Sequence, residues 1–112
     1  SASQAMNTLP EWMGSWLEVL SILRRNISGD DTGIYWLEAR SIWLKCLMQC
    51  YPHLPTLRKT EGWAAALEYW IFKKNHLQVS QMEVARKYHV SASTVSKRIK
   101  ELRQTIEEHF NG

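Results

Sequence analysis

The stretch SQMEVARKYHVSASTVSKRIKEL, residues 80–102, decides how this chain is read. It holds two short apolar-periodic segments on either side of a Tyr88, His89, Val90 turn, and the second is loaded with Ser, Thr and Lys. Ser80 is a favoured helix N-cap, Glu83 stands three residues on to complete a capping box, and Val79 and Val84 occupy the flanking staple positions. A helix therefore starts at Ser80 or Gln81, with Val84, Ala85 and Tyr88 as its inward stripe. At His89 the chain must bend. Such a bend requires a positive φ, for which Gly is best and His is among the tolerated alternatives. Ser91 then caps a further helix whose Val95, Ile99, Leu102 and Ile106 face inward.

At about 100° per residue, that inward set leaves Ser93, Lys97, Lys100 and Gln104 pointing away from the core, with Thr94 and Ser96 on the flanks. No acid precedes Glu101 on this helix. Small residues permit close approach to another backbone, hydroxyls bond phosphate oxygens, and a helix N-terminus favours anions. The N-terminal half of this helix is suited to lie against a negatively charged partner.

Outward from this stretch, helical spacing dominates. PEWMGSWLEVLSILRRNI (10–27) places Trp12, Trp16, Val19, Leu20 and Leu23 on one face and ends in a basic pair before SGDDTG breaks it. IYWLEARSIWLKCLMQCY (34–51) carries Trp36, Arg40, Trp43, Leu47 and Cys50 down one side and Leu37, Leu44 and Met48 down another, and it stops before Pro52. That wide apolar arc predicts a deeply buried second helix. After the loop HLPTLRKT, EGWAAALEYWIFKKN (61–75) sets Trp63, Leu67, Trp70 and Ile71 around three alanines, whose small side chains let neighbouring axes approach and predict the central helix. The expected architecture is an all-α, five-helix bundle forming a single domain over 10–112, preceded by a flexible segment over 1–9.

Composition bounds the function. At 112 residues, 45% hydrophobic and 22% charged, the chain suits one globular domain. The longest run without Asp, Glu, Lys or Arg, from Cys46 to Leu57, is far short of the roughly 20 apolar residues that span a bilayer. Charge is uneven: residues 73–103 hold eight basic and two acidic residues, a net +6 against +3 for the whole chain. This concentration favours an anionic partner.

The stretch 81–102, through Ala85 at the helix crossing, Val90 in the turn, Val95 and Ile99 under the second helix and the VSASTVSK lead-in, resembles a helix-turn-helix of DNA-binding proteins. With GWAAALEYW before it, the chain also resembles one cyclin-like repeat of general transcription factor IIB, although that family has two repeats and its usual turn glycine is His89 here. The resemblance implies a cyclin-like fold ending in a helix-turn-helix at 80–103. It places base-reading positions on Ala92, Ser93 and Lys97 and phosphate contacts on Gln81, Ser91, Thr94 and Ser96, while Arg98, Lys100, Lys73 and Lys74 add electrostatic attraction. Lys97 alone has the reach for a strong contact to guanine, so a single domain is expected to be weakly selective. The implied partner is double-stranded DNA in a transcription-related role, together with other transcription proteins or further domains of a longer chain. The rival is a helical protein–protein interaction module of a larger regulatory or polymerase-associated protein, which an exposed Trp-rich patch on the first two helices would favour.

RNA fits less well, because an A-form major groove excludes a helix and Tyr88, the one aromatic residue of this segment, faces inward. A membrane surface fits less well too, because the basic helix lacks an exposed bulky apolar face. Cys46 and Cys50 share a helix face near His53, but no C-x₂-C pair or fourth ligand accompanies them. They read as free thiols of a reducing cytoplasm, and no metal or other cofactor is expected. Asp30 and Asp31 read as turn residues, and with no nucleophile elbow, HExxH or phosphate-binding loop the chain is not expected to be an enzyme. Its expected place is the cytoplasm or the nucleoid.

Overall fold

A computed structural model of the chain describes residues 11–27, 32–51 and 56–110. Within them lie five α-helices and no strand: α1 Glu11–Asn26, α2 Ile34–Cys50, α3 Thr60–Lys74, α4 Gln81–Lys87 and α5 Ala92–Phe110. The expected N-terminal segment, Asp30, Asp31 and His53, and the side chains of Trp12 and His109, lie outside this description.

Helix α3 occupies the centre and touches all four others. Its buried set is Thr60, Gly62, Ala64, Ala65, Ala66, Leu67, Glu68 and Ile71. Alanines and a glycine leave little side-chain bulk, so helix axes approach α3 from several sides at once. The crossing with α5 is close at Gly62, where a Cβ would stand 2.8 Å from Thr94 Cγ2. Helix α1 contributes Trp16, Val19, Leu20, Ile22 and Leu23 to the core. Its Trp16 stacks on Trp43 of α2 with ring centroids 4.4 Å apart, and the Trp43 indole donates 2.8 Å to the Trp16 carbonyl. That bond satisfies the one polar atom of a fully buried ring.

The expectation of a deep α2 is overturned. Only Ala39, Trp43 and Cys46 are buried along it, while Ile34 (58%), Leu37 (46%) and Met48 (74%), with Tyr51 (60%) just beyond its end, are exposed. The cause is geometric. Each residue advances by about 100°, so a bundle contacting one side of a helix can bury only a stripe, however wide the apolar arc. Among the described side chains, Trp16 and Trp43 lie in the core and Trp36 is half-buried, so the exposed apolar surface they leave on this side is aliphatic, methionine and tyrosine rather than Trp-rich.

The helix ends follow local chemistry. Ser80 Oγ accepts the Glu83 backbone N–H at 3.1 Å, as expected of the N-cap of α4. At the other end His89 adopts φ 59°, with Val90 N donating to Ala85 O and His89 N to Arg86 O. This is the 6→1 and 5→2 pattern of a Schellman cap, with histidine where glycine is commonest. Helix α3 ends in the same way on His76, φ 61°, through Leu77 N to Phe72 O and His76 N to Lys73 O.

Candidate nucleic-acid interface

The candidate surface is the N-terminal half of α5 together with the start of α4. Ser91 Oγ accepts the Thr94 backbone N–H at 3.1 Å, which makes Ser91 the cap expected for α5. The same hydroxyl lies 2.8 Å from Thr94 Oγ1 and 3.1 Å from Ser93 Oγ, so three hydroxyls cluster at the helix start. Ser91, Ala92, Ser93, Lys97 and Lys100 are exposed, and Gln81 and Ser96 are half-exposed. On the opposite side Val95, Ile99 and Leu102 are buried, with Ile106 partly so, as the helical wheel requires.

Two of the expected contact residues are already engaged within the fold. Thr94 turns its methyl group onto Gly62. Arg98 lies with its guanidinium carbon 5.0 Å from the centre of the Trp63 ring and donates to Glu101 at 2.8 Å. Only 18% of its side chain is exposed, which leaves the outward positive charge of this half to Lys97 and Lys100.

Lys73 and Lys74 are set apart from the start of α5. Helices α3 and α5 run in the same sense: Gly62 and Trp63 meet Thr94 and Arg98, and further along Trp70 meets Arg103. The lysines at the end of α3 therefore stand beside the later part of α5, and Arg103 is already about 9 Å beyond Lys97 along the axis. With Lys45 and Arg103 they surround a half-open cavity of about 610 Å³ walled by Tyr69 and Trp70. Lys74 pairs with Glu38 of α2 at 2.8 Å, and that bond, followed by one from the Asn75 amide at 2.9 Å, holds the Glu38 carboxyl below its usual range.

Beneath the candidate surface lies a polar contact that sequence reasoning missed. Glu68, 2% exposed, accepts Lys87 Nζ at 3.0 Å on both carboxylate oxygens and the Tyr88 hydroxyl at 2.8 Å. Lys87 closes α4 and Tyr88 is its C-cap, so the contact fixes the end of α4 onto the middle of α3. Burial first, then the charge of Glu68 and the hydrogen bond to it, push the Tyr88 phenol well above its usual range. The available signal was Glu68 standing beside Leu67 as the one charged residue between Gly62 and Phe72.

Neither Cys46 nor Cys50 is in a disulfide: Cys46 is buried, which raises its pKa to about 12 with Cys50 as a lesser cause, and Cys50 is half-buried. No group of three or more His, Cys, Asp or Glu able to hold a metal occurs among the described residues. No helix among them is long and apolar enough to cross a membrane.

No known protein-family profile matches the chain, and no solved structure matches it. A similar protein is the uncharacterized protein YccF of Bacillus subtilis (strain 168), 44% identical over 61 residues. The match takes in 53% of this chain and 17% of YccF, so the chain spans a small part of the length of that relative.

Proposed function

We propose that this domain binds double-stranded DNA, with α4 and α5 acting as a helix-turn-helix and the first turns of α5 entering the major groove. The observation that carries the reading is the division of α5. Its buried side anchors the helix to α3, while its outward N-terminal side presents Ser91, Ala92, Ser93 and Lys97, then Lys100, with no acid among them. Lys97 is suited to guanine O6 and N7, Ala92 to a thymine methyl and Ser93 to either kind of base edge. The cap hydroxyls, the helix N-terminus and Gln81 suit phosphate oxygens. The central alanine-rich α3 and the five-helix order also support the cyclin-like resemblance, and with it a transcription-related role within a larger protein.

A titration of random and selected duplexes at two salt concentrations tests the reading. Lys97→Ala is expected to weaken binding to a selected duplex by roughly 1–3 kcal/mol and to relax preference at one base pair. Lys100→Ala is expected to weaken all duplexes alike and lower the salt slope by about one. Absence of duplex binding at about 50 mM salt, where phosphate contacts are strong, refutes the reading.

The exposed apolar side of α2 favours a second reading, an interaction module, which is compatible with the first because the two surfaces are made by different helices.

A further inference from the structure

Along the outer side of α2 run Ile34, Leu37, Ser41, Leu44 and Met48, with Tyr51 following the last turn. Their spacings are 3, 4, 3, 4 and 3, the seam of a heptad repeat. Ile34, Leu37, Ser41, Met48 and Tyr51 are exposed, Leu44 is half-buried, and the core-facing Ala39, Trp43 and Cys46 belong to the other side of the helix. The stripe extends for about 26 Å, at 1.5 Å per residue. A mostly exposed and mostly apolar stripe of that length marks an interaction surface.

We infer that α2 is the two-fold interface of a homodimer, in which this seam packs antiparallel against the same seam of a second copy. The stripe complements itself, which makes a second copy its partner. Antiparallel seams match the first heptad position of one helix with the fourth of the other, which sets Ile34 opposite Tyr51, Leu37 opposite Met48 and the small Ser41 opposite Leu44. One two-fold axis generates every layer twice, as a closed isologous interface demands. The flanking charges select the direction. Glu38 and Lys45 occupy the same flank seven residues apart, and an antiparallel pair brings Glu38 of each copy towards Lys45 of the other. Glu38 retains 28% side-chain exposure beside its bond to Lys74, and Lys45 is exposed. A parallel pair would set Arg40 of one copy against Lys45 of the other, with like charges repelling.

The inference is independent of DNA binding. It is tested by sedimentation velocity on this chain, without DNA, over roughly 1–200 µM, a range that brackets weak to moderate dimers. The wild type is expected to pass from monomer to dimer. Leu37→Glu and Met48→Lys, each alone, are expected to raise the dimer dissociation constant at least tenfold while leaving the helical circular dichroism unchanged, since both side chains are exposed. Mixed in equal amounts they are expected to recover a heterodimer, because Glu at 37 then faces Lys at 48 in one layer and Met48 faces Leu37 in the other. Should either charge disturb folding, Leu37→Ala with Met48→Ala provides the same test, with weakened dimerisation expected. A wild type monomeric throughout, a dimer indifferent to these substitutions, or a mixture that stays monomeric would each overturn the inference. None of those results alters the expectation for duplex binding.

Discussion

Replacing Lys87 with Met should destabilise the domain by about 2–3 kcal/mol, and the reasoning rests on the asymmetry between the two partners of its ion pair. Glu68 is 2% exposed, so without Lys87 its carboxylate keeps only the Tyr88 hydroxyl, whereas Lys87 leaves 30% of its side chain in solvent. Removing one partner of a fully buried pair costs roughly 3–5 kcal/mol, and the partial exposure of Lys87 lowers that figure. Glu68→Gln should cost less, about 1 kcal/mol, because the amide still accepts from Tyr88 and the released ammonium can swing into water. For a domain of this size the Lys87→Met loss corresponds to a fall in Tm of roughly 10 °C. Urea unfolding followed by far-UV circular dichroism, with both single variants and the double variant, separates the pairwise coupling from the individual losses. A Lys87→Met variant within about 0.5 kcal/mol of wild type, or a Glu68→Gln variant that proves the more costly, refutes the picture of a buried carboxylate dependent on this lysine.

Gly62→Ala should destabilise by up to about 2 kcal/mol, since overpacking against Thr94 outweighs the roughly 1 kcal/mol gained in helix propensity. In a Thr94→Ser background, which lacks the obstructing methyl, the same substitution should become neutral or stabilising, so thermal unfolding of the four proteins reads a change of sign. His89→Gly should be neutral or stabilising by up to about 1 kcal/mol because it relieves a left-handed side chain, and a clear fall in Tm would point to a contact made by the imidazole. The phenol of Tyr88 is raised in the folded state relative to the unfolded chain, so its contribution to stability is whole below the ordinary tyrosine range, near pH 10, and is lost above it. Ultraviolet titration should therefore show one of the four tyrosines ionising only as the protein unfolds, a step that Tyr88→Phe removes.

Much of α4 and α5 was legible because local chemistry governs it. Ser80 and Ser91 cap through their own hydroxyls, His89 takes the left-handed turn, and the inward faces of both helices have a single solution once those caps are placed. The central place of α3 was legible for a related reason: Ala64, Ala65 and Ala66 favour the helix and have too little bulk to keep neighbouring helix axes away. Position in the bundle was not legible for α2, where Leu37 and Met48 have the same residue character as core positions. Which apolar stripe is buried depends on where neighbouring helices lie, which periodicity along one helix does not encode. Arg98 and Lys87 carry a similar lesson. A cation on a surface-like pattern can be drawn onto an indole or a buried carboxylate, and only the crossing of α3 with α4 and α5 brings Trp63 and Glu68 within reach.

The Arg–Trp stacking between α5 and α3 also gives this protein a built-in optical gauge. Arg98 rides over Trp63 and Arg103 over Trp70, at 5.0 and 6.0 Å from the ring centres, while Trp16 and Trp43 are stacked together in the interior. Indole emission is sensitive to a nearby guanidinium, so any event that draws α5 away from α3, or recruits either arginine elsewhere, alters the emission of Trp63 and Trp70. Trp63→Phe and Trp70→Phe would then localise the change to the first or the later turns of α5, with no external label attached to the chain.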